Sequence, residues 1–107
     1  YLSKIKNKNI KIPKVKQNTT HVFHIFSILT KNKKKFVKYL IKNKVFPGFH
    51  YPILAHQNKG YARFCKFKKS ELNYSNKISK FQVSLPIYPE LSNKNINNII
   101  NLINNYK

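Results

Sequence analysis

The most informative segment of the chain is Phe49-His50-Tyr51-Pro52-Ile53. Its proline fixes φ at its own position and restricts the backbone of the residue before it. Two hydrogen-bonding rings therefore stand on a stiffened stretch of chain, which suits a loop that holds polar side chains toward a ligand. His56 and Tyr61 follow closely. No other part of the chain combines so few charges with so many functional side-chain types.

The length and apolar content of the chain predict one folded domain. Its 107 residues are 41% hydrophobic and 14% aromatic, which is enough for a modest core. The sequence starts at Tyr1 without a charged-then-apolar leader, so we expect an internal or C-terminal fragment and not a secreted precursor. No apolar run approaches the roughly 20 residues that cross a bilayer, so no membrane partner is expected. Cys65 is the single cysteine, which favours a reducing, cytoplasmic location.

The formal net charge is +20, from 22 basic residues against only Glu71 and Glu90. This charge predicts weak nucleic-acid binding without sequence preference. Arg63 is the only arginine, however, although arginine is the preferred residue for bidentate phosphate and guanine contacts. Lysine, asparagine and isoleucine are abundant together, as they are in proteins from AT-rich coding sequences. The composition therefore has two interpretations. Either an AT-rich genome has drifted toward codons for these residues, or the lysines were selected because they bind a polyanion.

The first third of the chain predicts a connector and a strand. Residues 1–18 are lysine-rich, and Pro13 excludes a continuous helix there, so we expect a connector that contains at most a short edge strand. Residues 21–29 are nearly continuous in apolar and aromatic side chains, which predicts a buried central strand. In that strand we expect His24 to be a hydrogen-bonded core residue and His21 to lie at an exposed start.

A helix is predicted after this strand. Asn32 is a suitable N-cap, and apolar residues then recur at helical spacing: Phe36, Val37, Leu40 and Ile41. We interpret the lysine run 33–35 as the solvated face of the helix start and expect the helix to end near Asn43-Lys44. Pro47-Gly48 then predicts a turn, with a short strand at Phe49 before the proline-stiffened loop.

The rest of the chain predicts further helices and one strand. Short helical turns are expected around Tyr61, Phe64, Cys65 and Phe67. A short helix containing Ile78 is expected after a Ser75 cap, and residues 81–85 predict a strand that Pro86 ends. Ser92 is expected to cap a last helix with the apolar stripe Ile96, Ile99, Ile100 and Ile103. The order of elements predicts an α+β fold with helices packed on a small three-stranded sheet, mixed or antiparallel.

Taken in order, these motifs resemble the C-terminal small domain of the DegT/DnrJ/StrS family of PLP-dependent aminotransferases, which transfer an amino group onto nucleotide-linked keto sugars. The family has a histidine-containing strand before a helix, which stands here as His21-Val22-Phe23-His24-Ile25-Phe26-Ser27-Ile28. The loop motif stands as Gly48-Phe49-His50-Tyr51-Pro52-Ile53. The closing motif stands as Ser84-Leu85-Pro86-Ile87-Tyr88-Pro89-Glu90-Leu91. The resemblance covers residues 19–106.

The resemblance implies the small domain of a fold-type I aminotransferase over residues 19–107, joined through residues 1–18 to an N-terminal PLP domain outside this sequence. It implies PLP bound mainly by that domain, and as substrates a nucleotide-linked keto sugar and an amino donor such as glutamate. Family members are dimers with active sites near the subunit interface, so a homodimer is implied. No lysine here has the context of a Schiff-base lysine with an aspartate partner and a phosphate cradle. We therefore expect no catalytic residue in this chain and no transamination by it alone.

The resemblance also assigns substrate contacts to His50, Tyr51 and His56. The alternative is structural: the rings satisfy buried backbone groups, or one loop histidine supports the other. The family's loop glutamine usually lies two residues past the second histidine, where this chain has Asn58, and Gln57 is displaced by one position. This departure weakens any contact assigned through that glutamine. No metal site is expected, because the four histidines and the single cysteine follow no common zinc spacing.

Two classes of function are therefore compared. One is a fragment of an aminotransferase of amino-sugar or cell-surface polysaccharide biosynthesis, and the other is a stand-alone basic RNA-binding protein of the ribosomal type. An RNA-binding protein needs aromatic rings exposed among its lysines, where bases can stack on them. The enzyme domain needs them buried or lining the loop around His50. The placement of the aromatic side chains thus distinguishes an aminotransferase fragment from an RNA-binding protein.

Overall fold

A three-stranded antiparallel sheet lies at the centre of the computed structural model, which describes residues 1–64 and 68–107. The strands are β1 (Ile10–Lys11), β2 (Phe26–Thr30) and β3 (Gln82–Leu85), with β2 in the middle. The helices of the described part are α1 (Lys33–Lys42), α2 (Lys59–Ala62), α3 (Asn73–Phe81) and α4 (Asn93–Asn105), with short 3-10 helices at Ala55–Gln57 and Lys69–Leu72. The predicted α+β fold is confirmed, and the sheet is the antiparallel form.

The central strand is buried, as predicted, but it is shorter than the apolar run. Phe26, Ile28 and Thr30 are buried, and β2 pairs with strands on both sides. Residues 21–25 lie outside the strand. The backbone of Phe23 has φ 47°, a left-handed value that an extended strand does not accept, and its N–H donates to His21 Nδ1 (2.8 Å). The predicted start of the strand was therefore wrong.

His24 was also assigned wrongly. It precedes the strand in a bend and is exposed, so it is not a core residue. His21 is exposed as expected, but it does not begin a strand. The neighbouring Val22 is 93% exposed, which shows that apolar composition alone did not locate the strand.

The helix α1 follows the prediction closely. The side chain of Asn32 accepts a hydrogen bond from the backbone N–H of Lys35 (3.3 Å), which satisfies one of the free donors of the first turn. Phe36 and Leu40 are fully buried, and the helix ends at Asn43. Lys44 then has φ 60°, and the N–H of Val45 donates to the Leu40 carbonyl (2.9 Å). The chain therefore turns at Asn43-Lys44.

The turn predicted at Pro47-Gly48 and the short strand predicted at Phe49 are absent from the described structure. Gly48 instead forms an antiparallel bridge with Ser84 at the edge of β3. The Gly48 N–H donates to the Ser84 carbonyl and the Ser84 N–H donates to the Gly48 carbonyl, both at 2.9 Å. Proline at position 47 is compatible with this arrangement because the bridge uses no donor from it. This bridge carries the chain into the loop at His50.

The last two helices differ in how well their starts were predicted. Ser92 caps α4, since its Oγ accepts a hydrogen bond from the Asn95 N–H (3.2 Å). The predicted apolar stripe of α4 is confirmed, because Ile99, Ile100 and Ile103 are buried and Ile96 packs beside them.

The helix α3 contains Ile78 as predicted, but it begins at Asn73 directly after a 3-10 turn, without a side-chain cap. The Ser75 cap was therefore wrong, because the preceding turn already orders the first residues. Of the helical turns expected at 61–67, the positions of Cys65 and Phe67 lie outside the described residues.

The first residues of the chain contribute to the core. Ile5 and Ile10 are buried in it, and the expected short edge strand is present as β1. The side-chain amide of Asn7 donates to the carbonyls of Ile103 and Tyr106, both at 2.7 Å. The Tyr1 hydroxyl donates to the Pro86 carbonyl (2.9 Å). The N-terminal residues are thus tied to the C-terminal helix and to the end of β3.

Candidate functional site

The loop that begins at His50 is anchored to β3 through the His50 ring. His50 Nδ1 and Ser84 Oγ are joined by a hydrogen bond of 2.9 Å. Ser84 is only 2% exposed and belongs to the strand, whereas His50 is exposed. Of the two ring nitrogens of His50, Nδ1 is the one that forms a hydrogen bond with a described residue. A buried strand residue therefore orients a ring whose second nitrogen, Nε2, is available to another group.

Gly48 makes room for this ring. A Cβ atom built at Gly48 would lie 2.8 Å from His50 Cε1 and 3.4 Å from His50 Nδ1. Real Cβ atoms do not approach carbon atoms that closely, so any larger residue at position 48 must displace the ring. Gly48 therefore allows both the bridge to β3 and the hydrogen bond between His50 and Ser84.

Tyr51 extends outward from the same point. Its ring stands edge-on to the His50 ring, with centroids 5.6 Å apart and planes at 83°. The side chain is 67% exposed, and Pro52 restricts the Tyr51 backbone. The predicted pair of ordered, accessible rings is therefore present.

His56 lies in a separate cluster with α3. Asn76 Oδ1 accepts hydrogen bonds from His56 Nε2 (3.0 Å) and from Gln57 Nε2 (2.9 Å). Asn58 Oδ1 accepts from the Gly60 N–H (2.9 Å) and so caps α2. The displaced Gln57 and the substituted Asn58 thus have structural roles in this loop. Sequence reasoning missed Asn76, because its position 20 residues beyond His56 gives no local signal.

Lys33 connects α1 to both the loop and α3. Its Nζ lies 5.1 Å from the centroid of the Phe49 ring, a cation–π distance, and donates to the Ser79 carbonyl (3.1 Å). Burial lowers the pKa of Lys33 below the ordinary lysine value. The interpretation of the lysine run 33–35 as wholly solvated was therefore wrong at its first residue. Lys34 and Lys35 are exposed.

Large apolar side chains are exposed along the stretch of chain that contains this loop. The exposed members between Phe46 and Phe64 are Phe46, Phe49, Tyr51, Ile53, Tyr61 and Phe64. Exposed apolar side chains that adjoin one another mark surfaces that bind another surface or a ligand. Most exposed aromatic rings of the described chain thus accompany the His50 loop. Tyr74 and Tyr88 are exposed elsewhere.

The three predicted site residues line neither of two grooves in the part of the chain that the structure describes. One groove of about 330 Å³ lies between Phe46, Tyr88 and α4, and another of about 740 Å³ lies between β1, α1 and α3. His50 and Tyr51 are instead exposed beside β3.

Residues 1–64 and 68–107 contain neither a metal-ligand cluster nor a membrane-spanning helix. No group of three or more side chains from histidine, cysteine, aspartate and glutamate is placed to hold a metal ion in this part of the chain. None of its helices combines the length and the hydrophobicity needed to cross a membrane. The whole sequence contains only two acidic residues, both glutamates, so an aspartate partner for a PLP ring nitrogen does not come from this chain.

Comparison with known proteins identifies the family. The family model described as the DegT/DnrJ/EryC1/StrS aminotransferase family matches residues 1–104. The dTDP-3-amino-3,6-dideoxy-alpha-D-galactopyranose transaminase of Aneurinibacillus thermoaerophilus is 32% identical over 106 residues, which cover 99% of this chain and 28% of that protein. The chain thus spans little more than a quarter of the length of this relative.

Solved structures agree on the fold. The chain is similar to S. venezuelae DesV, solved in complex with a ketimine intermediate, with a TM-score of 0.82 and 23% identity over 96% of this chain and 27% of that one. It is also similar to NtdA from Bacillus subtilis with the bound cofactor PMP, with a TM-score of 0.74 and 20% identity over 90% of this chain and 22% of that one. At these identities the likeness establishes a shared fold.

Proposed function

The chain belongs to the DegT/DnrJ/EryC1/StrS aminotransferase family, and we propose on this basis that it is the C-terminal small domain of a PLP-dependent aminotransferase acting on a nucleotide-linked keto sugar. The product would be an amino sugar for polysaccharide or other amino-sugar biosynthesis in the cytoplasm. The name of the Aneurinibacillus relative, a transaminase of a dTDP-linked sugar, supports this substrate class.

The observation that carries the proposal is the placement of the aromatic side chains. Tyr51, Tyr61 and Phe64 are exposed on one stretch of chain with His50, where an enzyme domain needs them. The exposed apolar loop is therefore a surface that another part of the protein covers, and His50 is held at its start by Ser84.

The proposal places PLP mainly on residues outside this chain. The chain offers no aspartate for the ring nitrogen, and its candidate residues lie on an open face. When bound, the cofactor supplies the electron sink for amino transfer. His50, Tyr51 and His56 then close the substrate side of that site. Residues 1–18 are the segment proposed to lead from the rest of the protein, and Ile5 and Ile10 within it pack in the core of the domain itself. A homodimer would bring the loop of one subunit toward the site of the other.

The roles within the loop follow from the hydrogen bonds. His50 Nε2 donates to or accepts from the substrate, because Nδ1 is engaged by Ser84. Tyr51 supplies an exposed hydroxyl and an aromatic face beside it. His56 contributes through a ring that Asn76 orients. Imidazole N–H groups and a phenol hydroxyl can hydrogen-bond the hydroxyls and phosphate oxygens of a nucleotide sugar. Glutamate is proposed as the amino donor.

The test compares the intact protein with this segment. The intact protein should bind PLP, with its visible absorbance, and transfer the amino group of glutamate to a dTDP-linked keto sugar. Residues 1–107 alone should do neither. Transfer by the segment alone, or failure of the intact protein to bind PLP, would contradict the proposal.

A further inference from the structure

We propose that the groove between β1, α1 and α3 is a binding site for the backbone of single-stranded nucleic acid, separate from the His50 loop. The groove has a volume of about 740 Å³, which lies within the roughly 300–1,000 Å³ of typical ligand sites. The residues that line it come from both ends of the chain and from two helices. It is therefore a feature of the folded domain and not of one lysine-rich segment.

The rim of the groove is strongly basic. Six lysines line it: Lys8, Lys11, Lys31, Lys35, Lys77 and Lys107. All six are exposed, and neither Glu71 nor Glu90 is among the lining residues. Lysines that converge on one concavity without an acidic side chain concentrate positive potential there. Phosphate groups, which release counterions when they meet such lysines, are the matching ligand.

The floor of the groove favours a nucleic acid over a simple phosphate. Ile78, Phe81 and Leu29 provide apolar surface, and Tyr74 is 74% exposed at the edge. Tyr74 is an exposed aromatic side chain that lines this groove together with its lysines. Bases stack on such rings without regard to sequence, while the phosphates contact the basic rim. Single strands meet this requirement because their bases are free to leave the stack.

The test uses two triple variants of the intact protein with equal charge. Lys31→Gln/Lys35→Gln/Lys77→Gln removes three lysines of the groove, and Lys34→Gln/Lys38→Gln/Lys80→Gln removes three exposed lysines of α1 and α3 that line neither groove. The ligand is a fluorescent 12-residue oligouridylate, titrated over a range of salt concentrations. The groove triple should lower the slope of log K against log salt by about 2, since each lost phosphate contact contributes about 0.7. The control triple should change it little.

A second pair of variants tests the stacking. Tyr74→Ala should weaken oligouridylate binding roughly fivefold to a hundredfold, the range for loss of one stacked base. The control is Tyr88→Ala, which removes an exposed ring outside this groove. Equal losses for the two lysine triples would overturn the proposal, because they would show that net charge alone binds the RNA. Unchanged binding in both triples, an ineffective Tyr74→Ala, or stronger competition by polyglutamate than by unlabelled RNA would overturn it as well.

Discussion

The hydroxyl of Ser84 lies 2.9 Å from Nδ1 of His50 and joins the central sheet to the exposed loop. Ser84 is buried in β3, where its main chain pairs with both Ser27 in β2 and Gly48. The His50 ring thus receives its orientation from the rigid part of the domain. Groups that act on a substrate require this kind of support from residues behind them.

Ser84→Ala should lower the turnover of the intact enzyme about ten- to a hundredfold, because a ring without its partner no longer holds a productive orientation. The free energy of unfolding should fall by only about 1 kcal/mol, the ordinary contribution of one hydrogen bond. Ser84→Thr retains a hydroxyl and should recover part of kcat. The matched control is Ser27→Ala. Ser27 lies opposite Ser84 in the sheet, and the Ser27 hydroxyl accepts a hydrogen bond from Gln82 Nε2 (2.8 Å). A Ser27→Ala variant as slow as Ser84→Ala would contradict a specific role for Ser84.

Gly48→Ala should have a similar effect on turnover for a steric reason. The new Cβ would lie 2.8 Å from His50 Cε1, so the ring must move away from Ser84. The backbone itself accepts alanine, since Gly48 does not have a positive φ. Gly60→Ala is the control, because the nearest described atom to its Cβ would be Asn58 Oδ1, at 3.3 Å. Kinetic assays of both variants test whether the position of the His50 ring matters for turnover. Normal activity of Gly48→Ala would show that it does not.

Ile100→Ala should destabilise the domain by about 2–5 kcal/mol, as expected when a buried isoleucine leaves a cavity. Ile100 is 4% exposed and belongs to the core that also contains Ile28 and Leu40. The control is Ile41→Ala in α1, where the side chain is 47% exposed and the expected loss is below about 1 kcal/mol. Urea unfolding of the two variants provides the comparison. Equal losses would mean that the α4 stripe is not the core face.

The burial of Tyr1 predicts that the stability of the fold depends on pH in the alkaline range. Burial, with a smaller contribution from Tyr88, raises the pKa of Tyr1 to about 12 from 10.0. The neutral hydroxyl, which donates to the Pro86 carbonyl, is therefore favoured in the folded state. Its contribution to stability is complete below pH 10 and is lost as the pH rises toward 12.

The variant Tyr1→Phe isolates this effect from the lysines that titrate in the same range. The difference in unfolding free energy between parent and Tyr1→Phe should be largest below pH 10 and should shrink above it. Chemical denaturation at several pH values between 8 and 12 measures this difference. A difference that grows with pH would contradict the assigned direction of the pKa.

The predictions that succeeded from sequence are local ones. Asn32 and Ser92 cap helices with side chains three residues from their partners, and the stripe at Ile99, Ile100 and Ile103 follows from helical periodicity. The boundaries that failed depend on distant residues. The antiparallel bridge of Gly48 depends on Ser84, 36 positions away in the chain, and no neighbouring residue indicates it.

The candidate site shows the same division. The exposed loop that carries His50 and Tyr51 was evident from the proline-stiffened motif, whereas substrate contacts of these residues and of His56 stay a prediction. The hydrogen-bond partners of the two histidines were not evident, because Ser84 and Asn76 reach them only through the fold. His24 illustrates the opposite error: it stands in an apolar run and yet is exposed, since the chain bends before β2 begins. The residue types indicated which side chains can hydrogen-bond a ligand. The pairing of the strands decided which residues contact one another.

Kinetic and thermal measurements on His50→Ala in the intact protein separate a substrate-binding role of the loop from a structural one. We expect kcat/KM for the nucleotide-linked keto sugar to fall about a hundredfold, while the melting temperature changes by less than about 4 °C. His50 is exposed, so its removal leaves the core unaltered. An unchanged rate together with a large drop in melting temperature would show that the loop is structural and would contradict its assignment to the substrate site.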